Sequence, residues 1–125
     1  MVELIHKDIS GQIIGALFEV HNQLGDGLLE KYYQKALTEE FGRRKIPFKE
    51  QVSVPLVYKG SYIGRRVADF CVDGKVILEI KKDNHFSRQH IEQVMSYLKA
   101  MNLQLAILAN FTRGGVKFKR IVNIR

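Results

Sequence analysis

The sequence predicts a single mixed α/β domain, on three observations. Apolar residues recur at helical spacing in three stretches and alternate with period two in five others. Those stretches run helix, helix, three strands, helix, two strands. The third observation is size: 125 residues with 46% hydrophobic side chains are enough to bury roughly two thirds of the extended surface in one core.

Ile9, Ile13, Leu17, Val20 and Leu24 are spaced by three or four residues and precede Gly25, which predicts a helix from about Asp8 to Leu24. Leu29, Tyr33, Ala36, Leu37 and Phe41 repeat that spacing after Asp26, a good N-cap, and before Pro47, giving a second helix over about Gly27 to Arg44. From Phe48 the period falls to two, with Val52, Val54, Leu56 and Tyr58 facing one way until Lys59-Gly60 turns the chain. Strands follow over about Tyr62 to Val72 and Val76 to Lys82, divided by Asp73-Gly74-Lys75. Ile91, Val94, Leu98 and Met101 restore helical spacing behind Ser87, a plausible cap. Two last strands, near Leu103 to Ala109 and Val116 to Ile124, are joined through Gly114-Gly115. Three consecutive strands can form a meander, and the helix between strands three and four can serve as a crossover to a parallel neighbour. There is no repeat, linker or low-complexity segment.

Composition removes several function classes. The apolar content is far too high for a disordered chain, and no apolar run approaches the ~20 residues that span a bilayer. The N-terminal residues lack the basic, apolar and small-residue pattern of a signal peptide, so a cytoplasmic protein is expected, with no membrane partner. The lone Cys71 excludes an internal disulfide and fits no zinc spacing. The net charge of +7 is unevenly spread: residues 1–30 carry −4, residues 31–66 carry +6, residues 67–101 balance, and residues 102–125 hold five bases and no acid. Clustered bases attract phosphates irrespective of base sequence, and a basic surface serving solubility alone fits the charge equally well. Arg43, Arg44, Lys45, Arg65, Arg66, Lys117, Lys119 and Arg120 are the candidate contacts to nucleic acid.

Two acids stand out by their company. Asp69 interrupts the apolar run Val67-Ala68-Asp69-Phe70-Cys71-Val72, where an unpartnered carboxylate would be costly to bury. Ten residues on, in Val76-Ile77-Leu78-Glu79-Ile80-Lys81, Glu79 and Lys81 share one strand face. Two converging carboxylates with a Lys beside them suit a hard divalent cation, which takes oxygen ligands and assists phosphodiester hydrolysis. Lys81 would then orient water or stabilise transition-state charge. A buried salt bridge between Lys81 and one acid is the plainer account of an isolated pattern of this kind.

Asp69 followed by Glu79-Ile80-Lys81 resembles the PD-(D/E)XK nuclease superfamily, with Ala68 standing where the superfamily name has Pro. Gly27-Leu28-Leu29-Glu30-Lys31-Tyr32-Tyr33 resembles the Gly-x-x-Glu-x-x-Tyr signature of the small GxxExxY family within it, and Gln93-Val94-Met95-Ser96-Tyr97 is similar to the Gln-x-x-x-Tyr motif of its exonuclease branch. The likeness runs from Ile9 to Ile124, in order. It implies a restriction-endonuclease-like core, a central mixed sheet flanked by helices, and a nuclease using Mg²⁺ or Mn²⁺ on DNA or RNA. On that resemblance Asp69, Glu79 and the carbonyl of Ile80 are metal ligands, Glu30 is an auxiliary acid, Lys81 is catalytic, and Gln93 and Tyr97 support the site. Tyr33 shares a helical face with Glu30 and reads as a core aromatic. The alternative is a nucleic-acid-binding or partner-binding module that keeps the fold without turnover, and a homodimer is left open.

Other motifs fail. Gly25-Asp26-Gly27 follows a helix, and Glu30 stands where a dinucleotide fingerprint needs Gly or Ala. His6, His21, His85 and His90 show no metal-ligand spacing. The chemistry also sets a geometric requirement. A two-residue Asp73-Gly74 loop would put Asp69 and Glu79 on opposite sheet faces. One extra residue, as a three-residue loop or a bulge, would set them opposite each other, facing the start of helix two.

Overall fold

A computed structural model describes residues 4–82 and 85–124. The elements are α1 (Lys7–Leu24), α2 (Glu30–Arg43), β1 (Phe48–Tyr58), β2 (Ser61–Val72), β3 (Val76–Ile80), α3 (Arg88–Met101), β4 (Leu105–Thr112) and β5 (Gly115–Val122). The order is the one the sequence predicts. The five strands form one sheet in sequence order, antiparallel except where β3 meets β4 in parallel. That exception follows from α3, because a parallel neighbour needs a crossover and only this connection contains a helix.

Alternation along the sheet divides the core in two. Val76, Leu78 and Ile80 of β3 and Leu105, Ile107, Ala109 and Phe111 of β4 pack with Ile13, Leu17, Leu37 and Phe41 of α1 and α2. Ile77, Ala106 and Leu108 point the other way, against Val94, Tyr97 and Leu98 of α3. Every residue of β3 is buried, as expected of a central strand covered by helices on both faces. Phe41, Phe48 and Phe70 interlock by their edges at centroid distances of 5.5 to 6.1 Å, anchoring the end of α2 to the sheet.

Local chemistry sets the boundaries. Gly25 ends α1 at φ 69°, its N–H reaching the His21 carbonyl at 2.8 Å. Ser87 caps α3 in a reciprocal box: its hydroxyl accepts from the His90 N–H, and its own N–H donates to His90 Nδ1. The second helix starts at Glu30 instead of Gly27, because Gly27 sits at φ 90° and Leu29 is extended, so Asp26 is not its cap. The third strand stops at Ile80 rather than Lys82. The last two strands are displaced: Asn102 at φ 57° and the Leu103 N–H on Leu98 close α3 late, and Thr112 pairs with Gly115 across an Arg113-Gly114 turn.

Candidate active site

The loop before α2 explains one motif directly. Gly27 holds φ 90°, a conformation that disfavours any side chain. The Tyr33 hydroxyl donates to the Gly25 carbonyl at 2.8 Å and accepts from the Leu28 N–H at 3.3 Å, satisfying two backbone groups of a tight loop. Its ring is buried and stacks on Phe111 at 4.0 Å. Gly27 and Tyr33 thus shape the loop, and Glu30, at the helix start, is held where the dipole favours an anion.

The two strand acids meet where the β2–β3 ladder opens. Pairing runs Val72↔Val76, Cys71↔Ile77, Phe70↔Leu78, so Asp73-Gly74-Lys75 is a three-residue connection, with Asp73 and Gly74 at positive φ. The next pair in that register is Asp69 with Glu79. Here side chains replace ladder bonds: the Asp69 N–H donates to Glu79 Oε1 at 2.6 Å, and the Ile80 N–H donates to Asp69 Oδ2 at 2.8 Å. Each carboxylate is fixed by the other strand's backbone.

The same level of the sheet contains a break in alternation. Ala68 and Cys71 both pack on the α3 side although three residues apart, and Glu50 meets Thr38 of α2 whereas Val52 packs toward α3. The ladder skips Gln51 opposite Asp69, and Gln51 lies at φ 50°, a strained conformation for a residue with a side chain. Gln51 donates to Gln34 of α2 at 3.4 Å, and Gln34 in turn hydrogen-bonds Asp69. The break brings Asp69 under the influence of Glu30 and Gln34 on α2 while Glu79 stays with Lys81 and Tyr97. Sequence reading missed Gln34 and Gln51, because a polar residue at position 51 fits the alternation of the strand and gives no local sign of the break.

Lys81 leaves the end of β3 with its N–H on the Ala109 carbonyl at 2.8 Å. Its Nζ stands 3.5 Å from Glu79 Oε2 and donates to Gln93 Oε1 at 2.8 Å. One cation therefore faces two carboxylates. Burial holds the Asp69 carboxyl above its ordinary range, opposed by the Ile80 N–H and Lys81. Burial, then the charge of Asp69, pushes Glu79 up to about 7. Tyr97 is pushed up to about 12, again mainly by burial, and its hydroxyl points at the Val67 carbonyl.

Two clefts flank Lys81. One is lined by Glu30, Tyr33, Ile80, Lys81, Lys82 and Arg113, among others; the other by Arg66, Lys81, Gln89, His90, Glu92 and Gln93. Lys82 and Arg113 add basic groups that charge counting did not single out. The candidate nucleic-acid contacts scatter. Arg43, Arg44 and Lys45 sit at the far end of α2, roughly 20 Å of helix rise from Glu30. Arg44 is bonded to Glu40 and to the Gly15 carbonyl, and Arg120 to Ser10 and the Ile5 carbonyl. These two guanidinium groups secure the fold, unlike the surface role expected of them. Arg65, Lys117 and Lys119 are exposed, and the two lysines flank Asn110, His85 and Phe86.

No helix is long and apolar enough to cross a membrane among the described residues. No curated protein matches the chain. Among solved structures, the crystal structure of SSO0001 superposes with a TM-score of 0.58 at 15% identity, over 96% of this chain and 58% of that one. An alkaline exonuclease (LHK-Exo) from Laribacter hongkongensis gives a TM-score of 0.53 at 10% identity, over 97% of this chain and 73% of that one. At such identities the likeness is one of fold, and the chain spans little more than half the length of the first. The sequence model of the PD-(D/E)XK nuclease superfamily matches residues 7–121; with that span, the chain belongs to this superfamily.

Proposed function

We propose that the protein is a divalent-metal-dependent nuclease of the GxxExxY type, hydrolysing phosphodiester bonds in DNA or RNA. The observation that carries this reading is the crossed pair of hydrogen bonds that sets Asp69 and Glu79 side by side, with Lys81 3.5 Å from Glu79. No cage of three or more His, Cys, Asp and Glu side chains is formed among the described residues. The donor set nevertheless fits Mg²⁺ or Mn²⁺, since Mg²⁺ is commonly held by one or two carboxylates, with waters and substrate phosphates completing the shell. Burial and mutual repulsion raise the pKa of both acids beside a single lysine, and a bound cation would favour their ionised forms.

Asp69, Glu79 and the Ile80 carbonyl would hold the ion, which when bound polarises the phosphate and lowers the pKa of water. Lys81, steadied by Gln93, supplies a fixed positive charge beside the reacting phosphate. Glu30, at the start of α2, contributes a further acceptor for the attacking water. Lys82 and Arg113 border the same cleft and would neutralise neighbouring phosphates.

The test is incubation of labelled single-stranded DNA, double-stranded DNA and RNA with the protein and Mg²⁺ or Mn²⁺, beside Asp69→Asn, Glu79→Gln and Lys81→Ala. Cleavage by the parent, abolished in the Asp69 and Glu79 variants and lowered by about 10²–10³-fold in Lys81→Ala, is the expected result. Nucleic-acid binding without cleavage would instead leave a non-catalytic binding module.

A further inference from the structure

Arg66 is not explained by the proposed chemistry. It lies on β2 with its guanidinium carbon 5.1 Å from the centre of the Tyr97 ring and one Nη donating to Ser96 Oγ, which donates in turn to the Gln93 carbonyl. Its Nε is buried with no hydrogen-bond partner, and among the described residues no carboxylate pairs with it. A sequestered arginine donor without an acceptor is costly and rare. Arg66 and Lys81 line one cleft together with Gln89, His90, Glu92 and Gln93, and its volume is near 440 Å³. Glu92, the one acid there, is ion-paired to Arg88 at 2.9 Å. The cleft is thus a cationic recess beside the reaction centre, on the α3 side. Away from it, β1–β2 carries no acidic residue from Gln51 to Ala68, while Lys59, Arg65 and Arg66 lie on it.

We propose that this cleft is a phosphate subsite in which Arg66 binds a phosphate of the substrate strand, so that the strand reaches Lys81 along β2 and α3. The proposal rests on the nuclease reading for its substrate. A guanidinium presents a planar fork that matches phosphate oxygens, and a small shift of the side chain into the cleft gives Nε the acceptor that the fold withholds. Tyr97 supports the guanidinium through its ring face, and Gln93, touching Lys81 and Ser96, joins the subsite to the catalytic lysine.

The measurement is fluorescence anisotropy of the metal-free protein with a labelled single-stranded oligonucleotide, as a function of salt, with and without a 5′-phosphate. Arg66→Gln is expected to weaken binding about tenfold, the loss of one charge-assisted contact, and to lower the slope of log K against log salt by ~0.7. Arg66→Lys should retain the slope. Gln89→Glu, which leaves the Arg66 contacts intact, should weaken binding as well, so the proposal survives as a test even if Arg66→Gln fails to fold. Dependence on Arg66 only with the 5′-phosphate identifies a strand end as the ligand; equal dependence identifies an internal phosphodiester. A parent that binds while Arg66→Gln and Gln89→Glu bind equally well, or weaken only as their melting temperature falls, overturns the subsite alone. A parent that binds no single-stranded oligonucleotide overturns this proposal, whereas the nuclease reading stands or falls by the cleavage test with metal.

Discussion

The two faces of the sheet are built to different ends. On the α1 and α2 face, the core is continuous and apolar, from Ile9 through Phe41 to Phe111. The α3 face has a smaller apolar cluster, and beside it lie the buried Glu79, the Lys81–Gln93 contact and the partnerless Arg66 donor. One face thus supplies the stability that offsets the cost of holding charges together on the other. Substitutions should separate along the same line.

The largest expected effects test that separation directly. Phe41→Ala removes a fully buried ring from the three-Phe cluster and should cost about 3–5 kcal/mol, read by denaturant unfolding. Lys81→Ala should lower cleavage by about 10²–10³-fold while the unfolding midpoint shifts little. A site variant that unfolds the chain, or a Phe41 variant that spares stability, would erase the distinction between the faces.

Next in size is a pH effect. The folded Glu79 carboxyl keeps its proton up to about 7, whereas its ordinary value is 4.5, so between these limits the folded chain binds more protons than the unfolded one. Stability is then fully present below about 4.5 and is lost as pH rises through 7, by about 3 kcal/mol in the absence of metal. Thermal melts with chelator should show the decline, and Glu79→Gln should flatten it. A parent curve that instead rises across this window would mean that Lys81 outweighs burial.

Much of the fold was legible because periodicity reports burial directly: the Ile9-to-Val20 stripe and the β3 run each identify both element and face. The three-residue Asp73-Gly74-Lys75 connection was one of the two arrangements that the chemistry of Asp69 and Glu79 demanded, but Glu79 lies on the α3 face with Lys81 and Tyr97 instead of facing the start of helix two. The break at Gln51 and Asp69 was not. It depends on contacts between α2 and β1 that lie seventeen residues apart at Gln34 and Gln51, and no local pattern reveals a non-glycine residue at positive φ. Helix two was misjudged for a related reason. Asp26 looked like a cap, but Tyr33, seven positions later, takes over the polar groups of the loop.

Tyr33→Phe isolates that arrangement and is expected to show a smaller effect. It keeps the ring stacked on Phe111 and removes only the hydroxyl, leaving the Gly25 carbonyl and the Leu28 N–H without their partner. The cost should be about 1–2 kcal/mol if both groups stay shielded, and less if water reaches them. Because those groups belong to the loop that carries Glu30 into the cleft, hydrogen exchange should rise around Gly25 to Leu28 more than elsewhere.

The smallest effect concerns the strained residue between the two faces. Gln51→Gly relieves a left-handed conformation that costs a side-chain-bearing residue about 1–2 kcal/mol. It also gives up the long 3.4 Å bond to Gln34 and adds the unfolded-state entropy of glycine, about 0.5–1 kcal/mol. The terms nearly cancel, so stability should change by less than about 1 kcal/mol, whereas Gln51→Val should lose about 1–2 kcal/mol, since a β-branched residue fits positive φ worst. Activity should not follow stability here. Gln34 steadies Asp69, and without the Gln51 contact that carboxylate is less firmly oriented, so Gln51→Gly should lower cleavage several-fold in a protein that melts where the parent does. Unchanged cleavage would show that the backbone bond from Ile80 suffices to orient Asp69 and that the strain at Gln51 serves the fold alone.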